Sequence, residues 1–324
     1  LYLEDFAASS AFFDSIYISN FEVSYIFISN VVASGVTLIL VLDFFKKIKL
    51  RFSWILWKSM MRYALPVLVA GVAFSINEVV DRLFLERMLP QDIAKEQIGI
   101  YSACYKLGMF MTLFATAFRL GIEPFFFSHA SSKKPKLAYA MITKYFVIIG
   151  TLIFLFVIVF IDIFKVILIQ DKSYWEAMKI VPIILLANLF LGIYHNLSVW
   201  YKVTDKTHYG AYISSIGALF TIGINLCLIP KIGYVASAVA TLVAYGSMML
   251  LSFFLGRKHY AIPYKYGKIL TYLVVSVLFS LISFYYFRGN YTVGIALILI
   301  FCAGLFFTEK DEISRLLKNN TSNT

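Results

Sequence analysis

Charged residues are scarce in this chain of 324 residues, where Asp, Glu, Lys and Arg together make up 15 %. An ordinary soluble domain has about 25 %. Hydrophobic residues make up 60 % and aromatic residues 18 %, a balance that excludes both a soluble globular domain and a disordered chain. The apolar content is enough for about nine transmembrane helices of about 20 residues each.

The few cysteines and histidines form no metal or disulfide motif. Cys104, Cys227 and Cys302 lie in apolar runs without a CxxC spacing, which is typical of small buried side chains. The four histidines are scattered along the chain, so a metal site with several His ligands is not expected. A Gly-rich phosphate loop is missing as well, which argues against ATP as the direct energy source. We therefore expect no metal and no cofactor.

Long apolar runs dominate the sequence. The predicted spans lie at about 21–44, 63–89, 98–120, 139–164, 179–201, 209–229, 233–256, 269–287 and 291–307. Runs of this length without two-residue alternation indicate helices rather than barrel strands. The expected fold class is an all-α polytopic membrane protein with about nine transmembrane helices.

The distribution of Lys and Arg predicts the orientation of these spans. If the first span runs from outside to inside, the inner segments hold 20 of the 29 basic residues and the outer segments hold eight. Cytoplasmic loops carry an excess of basic residues, so a cytoplasmic C-terminus is expected. The net charge of +11 then belongs to the inner face, and no nucleic-acid partner is expected.

The segments outside the spans are short. Residues 1–20 carry three acids and no Lys or Arg, as expected of an external loop. Residues 45–62 mix basic groups with Trp and Phe, which favours an amphipathic helix in the cytoplasmic headgroup layer; a solvated basic loop is the alternative. Residues 309–324 are predicted to form a polar cytoplasmic tail. No segment is long enough for a catalytic domain outside the membrane.

Ionisable groups inside spans are costly in lipid and are candidates for function. Asn77, Glu78, Asp81 and Arg82 fall within two helical turns of one span, and Lys106 lies in the next. The two spans form a hairpin, so the four charged groups can share one layer with a formal sum of zero. Two interpretations stay open: a paired cluster that joins two helices, or the wall of a hydrated cavity whose cations receive an anion.

Five further residues within or near the predicted spans are candidates for function. Tyr101 and Tyr105 lie one turn apart, where they either pack or stack on sugar rings. Arg119 and Glu123 have an i,i+4 spacing and form either an interfacial pair or part of a cavity. His195 lies within a predicted span, where it either hydrogen-bonds a neighbouring helix or transfers protons.

Three stretches carry a resemblance to a known family. They are RYALPVLVAGVAFSINEVVDR, IGIYSACYKLGMFMTLFATAFRLGIEPFFF and INLCLIPKIGYVASAVATLVAYG. These stretches resemble oligosaccharide flippases of the multidrug/oligosaccharidyl-lipid/polysaccharide exporter superfamily, in particular translocases of O-antigen or capsule repeat units. The resemblance implies a MATE-like bundle of two six-helix lobes, often with two further helices.

On this resemblance, 21–44 is the last helix of the N-lobe and 45–62 connects the lobes. Residues 63–256 form the six-helix C-lobe, and 257–308 hold two additional transmembrane helices. The chain is then expected to be a fragment that lacks the first five helices.

The resemblance also implies a function, which is a flippase in the bacterial inner membrane rather than an enzyme. Its substrate would be an oligosaccharide linked to a lipid pyrophosphate of the undecaprenyl type, moved by alternating access. Membrane lipids and the glycan polymerase machinery are the other expected partners. The residues expected to line the substrate cavity are Arg82, Lys106, Arg119, Tyr101, Tyr105 and Asn77. Glu78 and Asp81 are the carboxylates expected to couple transport to an ion.

Two alternatives remain open. A drug or cation antiporter of the same superfamily would share the fold and bind cations. A membrane glycan O-acyltransferase or polymerase would use His195 and Asn196 as its centre.

Overall fold

The computed structural model describes residues 21–46, 51–130, 134–169 and 171–321. The predicted external loop at 1–20 and the end of the predicted tail at 322–324 lie outside the described residues. Two compact units are found, Leu1–Lys58 and Ser59–Thr324, and each is described by itself.

Helices account for nearly all of the described chain, which contains no strand. The α-helices are α1 (Glu22–Lys46), α2 (Trp54–Met88), α3 (Gln91–Ser128), α4 (Pro135–Val159), α5 (Ile161–Leu168), α6 (Val181–Leu197), α7 (Val199–Val203), α8 (His208–Ile232), α9 (Tyr234–His259), α10 (Tyr266–Leu281) and α11 (Tyr291–Thr321). A 3-10 segment, Lys172–Ile180, precedes α6, and a π-helical turn, Ile282–Tyr286, follows α10. Nine helical segments among these residues are long and apolar enough to cross a membrane. The prediction of an all-α, multi-pass membrane protein is confirmed.

The start of α2 differs from the prediction. The helix begins at Trp54, nine residues before the predicted start of this span. Residues 54–62 of the predicted connector are therefore part of the long helix, and connector residues 47–50 lie outside the described chain. The sequence offers no Gly or Pro between Trp54 and Pro66, so nothing ends the helix at the membrane boundary.

The predicted tail also differs, because α11 continues without a break from Tyr291 to Thr321. Glu309 and Glu312 lie on this continuation, where they bind lysines from α4 and from the start of α10. These ion pairs fix the first turn beyond the predicted span against the bundle. They therefore stabilise the helical conformation of this segment.

The core of the second unit centres on α6, which is buried along most of its length. It packs against α3, α4 and α9. Close packing depends on Gly192, because a Cβ added there would lie 2.3 Å from the Phe146 ring. Such tight helix contacts at small residues are a common device in membrane bundles.

A tight turn at Gly233 joins α8 to α9. Its φ angle is +56°, a conformation that glycine adopts at little cost. The backbone N–H of Tyr234 donates a hydrogen bond to Oε1 of Gln97, in the second turn of α3, at 2.9 Å. A Cβ at position 233 would lie 2.4 Å from the same Gln97 oxygen, so only glycine fits this corner.

Ion pairs connect the C-terminal hairpin of α10 and α11 to the rest of the bundle at both ends of the hairpin. At one end, Lys144 of α4 is 2.5 Å from Glu309 and 2.8 Å from Glu312. At the other end, Arg288 donates two hydrogen bonds to Asp162, at 3.1 and 3.2 Å, and Lys165 is 2.5 Å from the same carboxylate. Each group joins residues that the charge distribution assigns to one side of the membrane.

Low pH is expected to weaken the ion pairs of Asp162 and so to lower the stability of the fold. Burial alone would raise the pKa of the Asp162 carboxyl, but hydrogen bonds from Arg288 and Lys165 outweigh it and hold the pKa below the ordinary 3.8. A carboxyl whose pKa is lowered by folding stabilises the fold above its unfolded pKa, and that contribution is lost as the pH falls through the folded pKa. We expect the thermal midpoint in detergent to fall below about pH 4. Arg288→Gln should lower the midpoint at neutral pH and make its acid dependence shallower, whereas exposed Lys172→Gln should do neither.

Candidate functional site

A buried carboxylate, Asp81, forms the centre of a polar cluster. The side chain is 3 % exposed and receives three hydrogen-bond donors from three other helices. Tyr101 of α3 donates to Oδ2 at 2.8 Å, Asn225 of α8 to Oδ1 at 2.7 Å, and the Thr241 hydroxyl of α9 lies 3.1 Å from Oδ2. Among the described residues, no cation pairs with this carboxylate. Asp81 is thus held by neutral donors.

Glu78 is held in the same way one turn earlier. Tyr245 of α9 donates to Oε1 at 2.5 Å, and the Tyr105 hydroxyl lies 3.1 Å from Oε2. The two acids therefore have separate tyrosine partners. The predicted pairing of Glu78 with Arg82 takes another form, since the Arg82 guanidinium donates to the backbone oxygen of Glu78 at 3.2 Å.

The two predicted cations of this layer differ in their surroundings. Arg82 also donates to the Ser102 hydroxyl at 3.3 Å and lies over the Tyr105 ring, 5.4 Å from its centroid. Lys106 is exposed and takes no part in the described hydrogen bonds or ion pairs. The structure thus brings Glu78, Asp81 and Arg82 together, whereas Lys106 stays outside their contacts.

Asn77 extends the cluster towards α8. Its side chain is 2 % exposed, and Oδ1 accepts a hydrogen bond from Thr221 at 2.6 Å. Asn225 lies one turn after Thr221, and its Oδ1 accepts from Ser237 at 2.9 Å. Polar side chains of α2, α8 and α9 therefore form one continuous buried network.

Arg119 forms no hydrogen bond within this network in the described chain and lies in the wall of a cavity of about 440 Å³. Residues of α2, α3, α6, α7, α8 and α9 line the cavity, and they include three tyrosines, Tyr63, Tyr194 and Tyr201. Pro66 lies within α2 and Pro124 within α3 beside this cavity. A proline inside a helix leaves a backbone carbonyl without its donor, which membrane helices tolerate next to polar surroundings.

The charges in the cavity wall are unevenly paired. Glu123 forms an ion pair with Lys202 of α7 at 2.5 Å, rather than with Arg119 as the i,i+4 spacing suggested. No carboxylate of the described chain lies within ion-pair distance of Arg119, while its side chain lines the cavity. The cavity thus offers one guanidinium whose charge is not already matched by an acid.

His195 lies in the same wall, near the end of α6. The helix ends two residues later because side chains compete for its carbonyls: Asn196 donates to the Gly192 oxygen at 3.0 Å and Ser198 to the His195 oxygen at 2.6 Å. Such local bonds favour helix ends over helix interiors. Lys202 lies beyond this helix end, in α7, where it pairs with Glu123.

Several residues of these two sites were not among the sequence-based candidates. They are Thr221, Asn225, Ser237, Thr241 and Tyr245 of the buried network, and Tyr63, Tyr194, Tyr201 and Lys202 of the cavity. The i,i+4 spacings of Thr221 with Asn225 and of Ser237 with Thr241 are the signal that could have identified two polar stripes. In the part of the chain that is described, no three His, Cys, Asp or Glu side chains are placed to hold a metal ion.

Residues 66–227, half of the chain, match the MatE family. The chain belongs to the MatE family. The match covers most of α2, all of α3 to α7 and most of α8, and so includes Asn77, Asp81 and Arg119. No curated protein matches the chain.

Two solved structures share the fold of this MatE-family chain. The lipid II flippase MurJ, in an inward closed conformation, has a TM-score of 0.60 and 19 % identity, over 82 % of this chain and 58 % of that one. A MOP superfamily transporter from Pyrococcus furiosus, whose binding pocket of reverse polarity suggests a different function, has a TM-score of 0.50 and 16 % identity, over 69 % of this chain and 52 % of that one. The chain therefore spans between about half and three fifths of these proteins. Identities this low establish the fold alone.

Proposed function

We propose that this MatE-family protein translocates a sugar unit linked to a lipid pyrophosphate across the bacterial inner membrane. The observation that supports this function most strongly is the guanidinium of Arg119, which lines a cavity of about 440 Å³ and has no acidic partner in the described chain. A guanidinium binds phosphate oxygens through two parallel hydrogen bonds. An anionic headgroup is therefore the ligand that this wall suits best.

The rest of the cavity fits the rest of such a substrate. The hydroxyls and ring faces of Tyr63, Tyr194 and Tyr201 suit a sugar, which presents both hydroxyls and apolar ring faces. The lipid chain would stay in the bilayer, where it needs no protein partner. The name of the structurally similar lipid II flippase agrees with a lipid-linked substrate of this kind. An O-antigen or capsule repeat unit is the substrate class we propose.

The proposed mechanism is alternating access between two lobes. Residues 63–256 would form the C-lobe, 21–44 the last helix of the N-lobe, and 257–308 two additional transmembrane helices. Lys and Arg are in excess in the segments that the orientation prediction places in the cytoplasm. This excess supports a position on the cytoplasmic side for the Arg119 cavity and for the C-terminus. Arg82 and Lys106 stay predicted anion-binding groups further along the path.

Asp81 and Glu78 are the proposed ion-coupling groups. Both are carboxylates within a membrane-spanning helix whose described partners are neutral hydroxyls and an amide. A buried carboxylate without a cation is costly, and taking up a proton or a monovalent cation would remove that cost. The same observation favours a drug or cation antiporter as the second candidate function.

A deletion strain separates these candidates. We expect loss of the complete gene to leave intact lipid-linked repeat units on the cytoplasmic leaflet and to remove surface polysaccharide. Re-expression should restore both. A normal leaflet distribution with altered drug resistance would favour the antiporter. Units that reach the outer leaflet but stay unmodified or unpolymerised would favour a membrane enzyme using His195.

A further inference from the structure

A second, smaller cavity lies next to the Arg119 cavity. It measures about 210 Å³ and is bounded by α2, α3 and α6. Its lining includes the Glu78 side chain, and it shares Phe74, Arg119 and His195 with the larger cavity. We call it the Glu78 chamber. His195 therefore faces both the chamber that holds an ion-coupling carboxylate and the cavity that would receive substrate.

The Glu78 chamber is polar beyond its carboxylate. The Asn188 side chain is 1 % exposed; its Nδ2 donates to the Gly108 oxygen at 3.3 Å, while its Oδ1 has no partner in the described chain. The Thr112 hydroxyl is buried and likewise has no described partner. A buried acceptor without a donor is unfavourable. Both side chains line the chamber, where water molecules would satisfy them.

A volume of about 210 Å³ holds several water molecules, since each occupies about 30 Å³ in the liquid. Glu78, Asn188 and Thr112 supply the two to four polar partners that ordered water needs. The chamber therefore meets both conditions for a small water cluster inside the bundle. The cluster would reach from His195 to the Glu78 carboxylate.

We propose that His195 relays protons between the large cavity and Glu78 through water held in the Glu78 chamber. Hydronium in the large cavity gives a proton to one ring nitrogen of the neutral His195 imidazole and becomes water. The other ring nitrogen releases its proton to hydrogen-bonded water in the Glu78 chamber, and this water converts the Glu78 carboxylate to the carboxylic acid. The step balances with water alone and runs in reverse when Glu78 releases its proton. The inference rests on the proposed ion coupling at Glu78 and identifies its ion as the proton.

The surroundings of His195 fit a relay rather than a fixed structural bond. The titratable and charged groups that line the two cavities with it are Tyr63 and Glu78 of α2, Arg119 and Glu123 of α3, Tyr194 of α6, and Tyr201 and Lys202 of α7. No hydrogen bond from the imidazole to another described side chain is found, so its nitrogens are available to water on either side. Phe74 packs near the ring, at 6.3 Å between centroids.

A pH-jump experiment on the purified full-length protein in lipid nanodiscs tests the relay without any substrate. Time-resolved infrared spectroscopy follows the carboxylic acid band of Glu78, which Glu78→Gln assigns. We expect His195→Gln to slow the rise of this band by about 10²-fold, the usual contribution of a positioned proton-transfer group. Added imidazole should restore much of the rate. His208→Gln, at an exposed histidine of α8, should leave the rate unchanged.

A second variant tests the path itself. Asn188→Leu keeps His195 and replaces a polar side chain of the chamber wall with an apolar one, so we expect slow protonation that imidazole does not rescue. An unchanged rate in His195→Gln, or the absence of any Glu78 protonation band, would overturn the relay. Uptake of Na⁺ in place of the proton would also overturn it. Lipid translocation is measured separately on the same preparations, so a failed flippase assay with a His195-dependent proton rate would reject the proposed function alone.

Discussion

Arg119→Gln is expected to weaken binding of a lipid-linked pyrophosphate by about 10- to 100-fold. A hydrogen bond to a charged group contributes about 1.5–3 kcal/mol, and each 1.4 kcal/mol corresponds to a tenfold change in affinity. Arg119 is the cavity guanidinium without an acidic partner in the described chain, so no ion pair competes there with a bound pyrophosphate. Native mass spectrometry or equilibrium binding in nanodiscs measures the change.

The matched control for this variant is Arg87→Gln. Arg87 is exposed near the end of α2 and does not line the cavity, so the same loss of charge should leave affinity within about twofold. Higher salt should weaken wild-type binding more than binding to Arg119→Gln, because the lost contact is electrostatic. Equal affinities of wild type and Arg119→Gln would mean that the pyrophosphate binds elsewhere.

Asp81→Leu is expected to have the largest effect on folding. Tyr101 and Asn225 would each lose a buried acceptor, whereas the Thr241 hydroxyl keeps the Ser237 backbone oxygen at 2.9 Å. Each unsatisfied donor costs about 1–3 kcal/mol, and two such costs reach the lower end of the stability of a typical domain, about 5–15 kcal/mol. We expect little folded protein by fluorescence-detected size-exclusion chromatography, and a much lower thermal midpoint for any that remains.

Glu86→Leu is the matched control for Asp81→Leu, since Glu86 lies on the same helix and is exposed. It should fold like the wild type. Asp81→Asn keeps the shape and one acceptor oxygen, and should fall between the two. A normal thermal midpoint for Asp81→Leu would show that the donors find other partners and that the network does not hold the four helices together.

The number of spans and the fold class could be predicted because long apolar runs determine them. The ends of α2 and α11 could not, since polar helical turns that continue beyond the membrane have the same composition as loops. The pairing of Glu309 and Glu312 with Lys144 is what extends α11, and a contact across 165 residues leaves no trace in local sequence.

The candidate site was predictable where a residue type is unusual in its local sequence, and not where long-range contacts define it. Charge within an apolar run identified Glu78 and Asp81, because such residues are rare in spans. Their partners are hydroxyls and amides, such as those of Tyr245 and Asn225. Tyrosine, serine, threonine and asparagine are frequent throughout this sequence, so the sequence alone does not identify these particular residues. The i,i+4 rule paired Glu123 with the wrong residue, since Lys202 reaches it only after the break at the end of α6.

Transbilayer movement in proteoliposomes tests the central proposal most directly. The full-length protein is reconstituted with a fluorescent oligosaccharide linked to a lipid pyrophosphate, and a quencher outside the vesicles reports which leaflet holds it. We expect protein-dependent movement that Arg119→Gln abolishes and that a neutral lipid glycoside does not undergo. Movement of an organic cation, with the pyrophosphate lipid fixed in its leaflet, would contradict the flippase and support the antiporter.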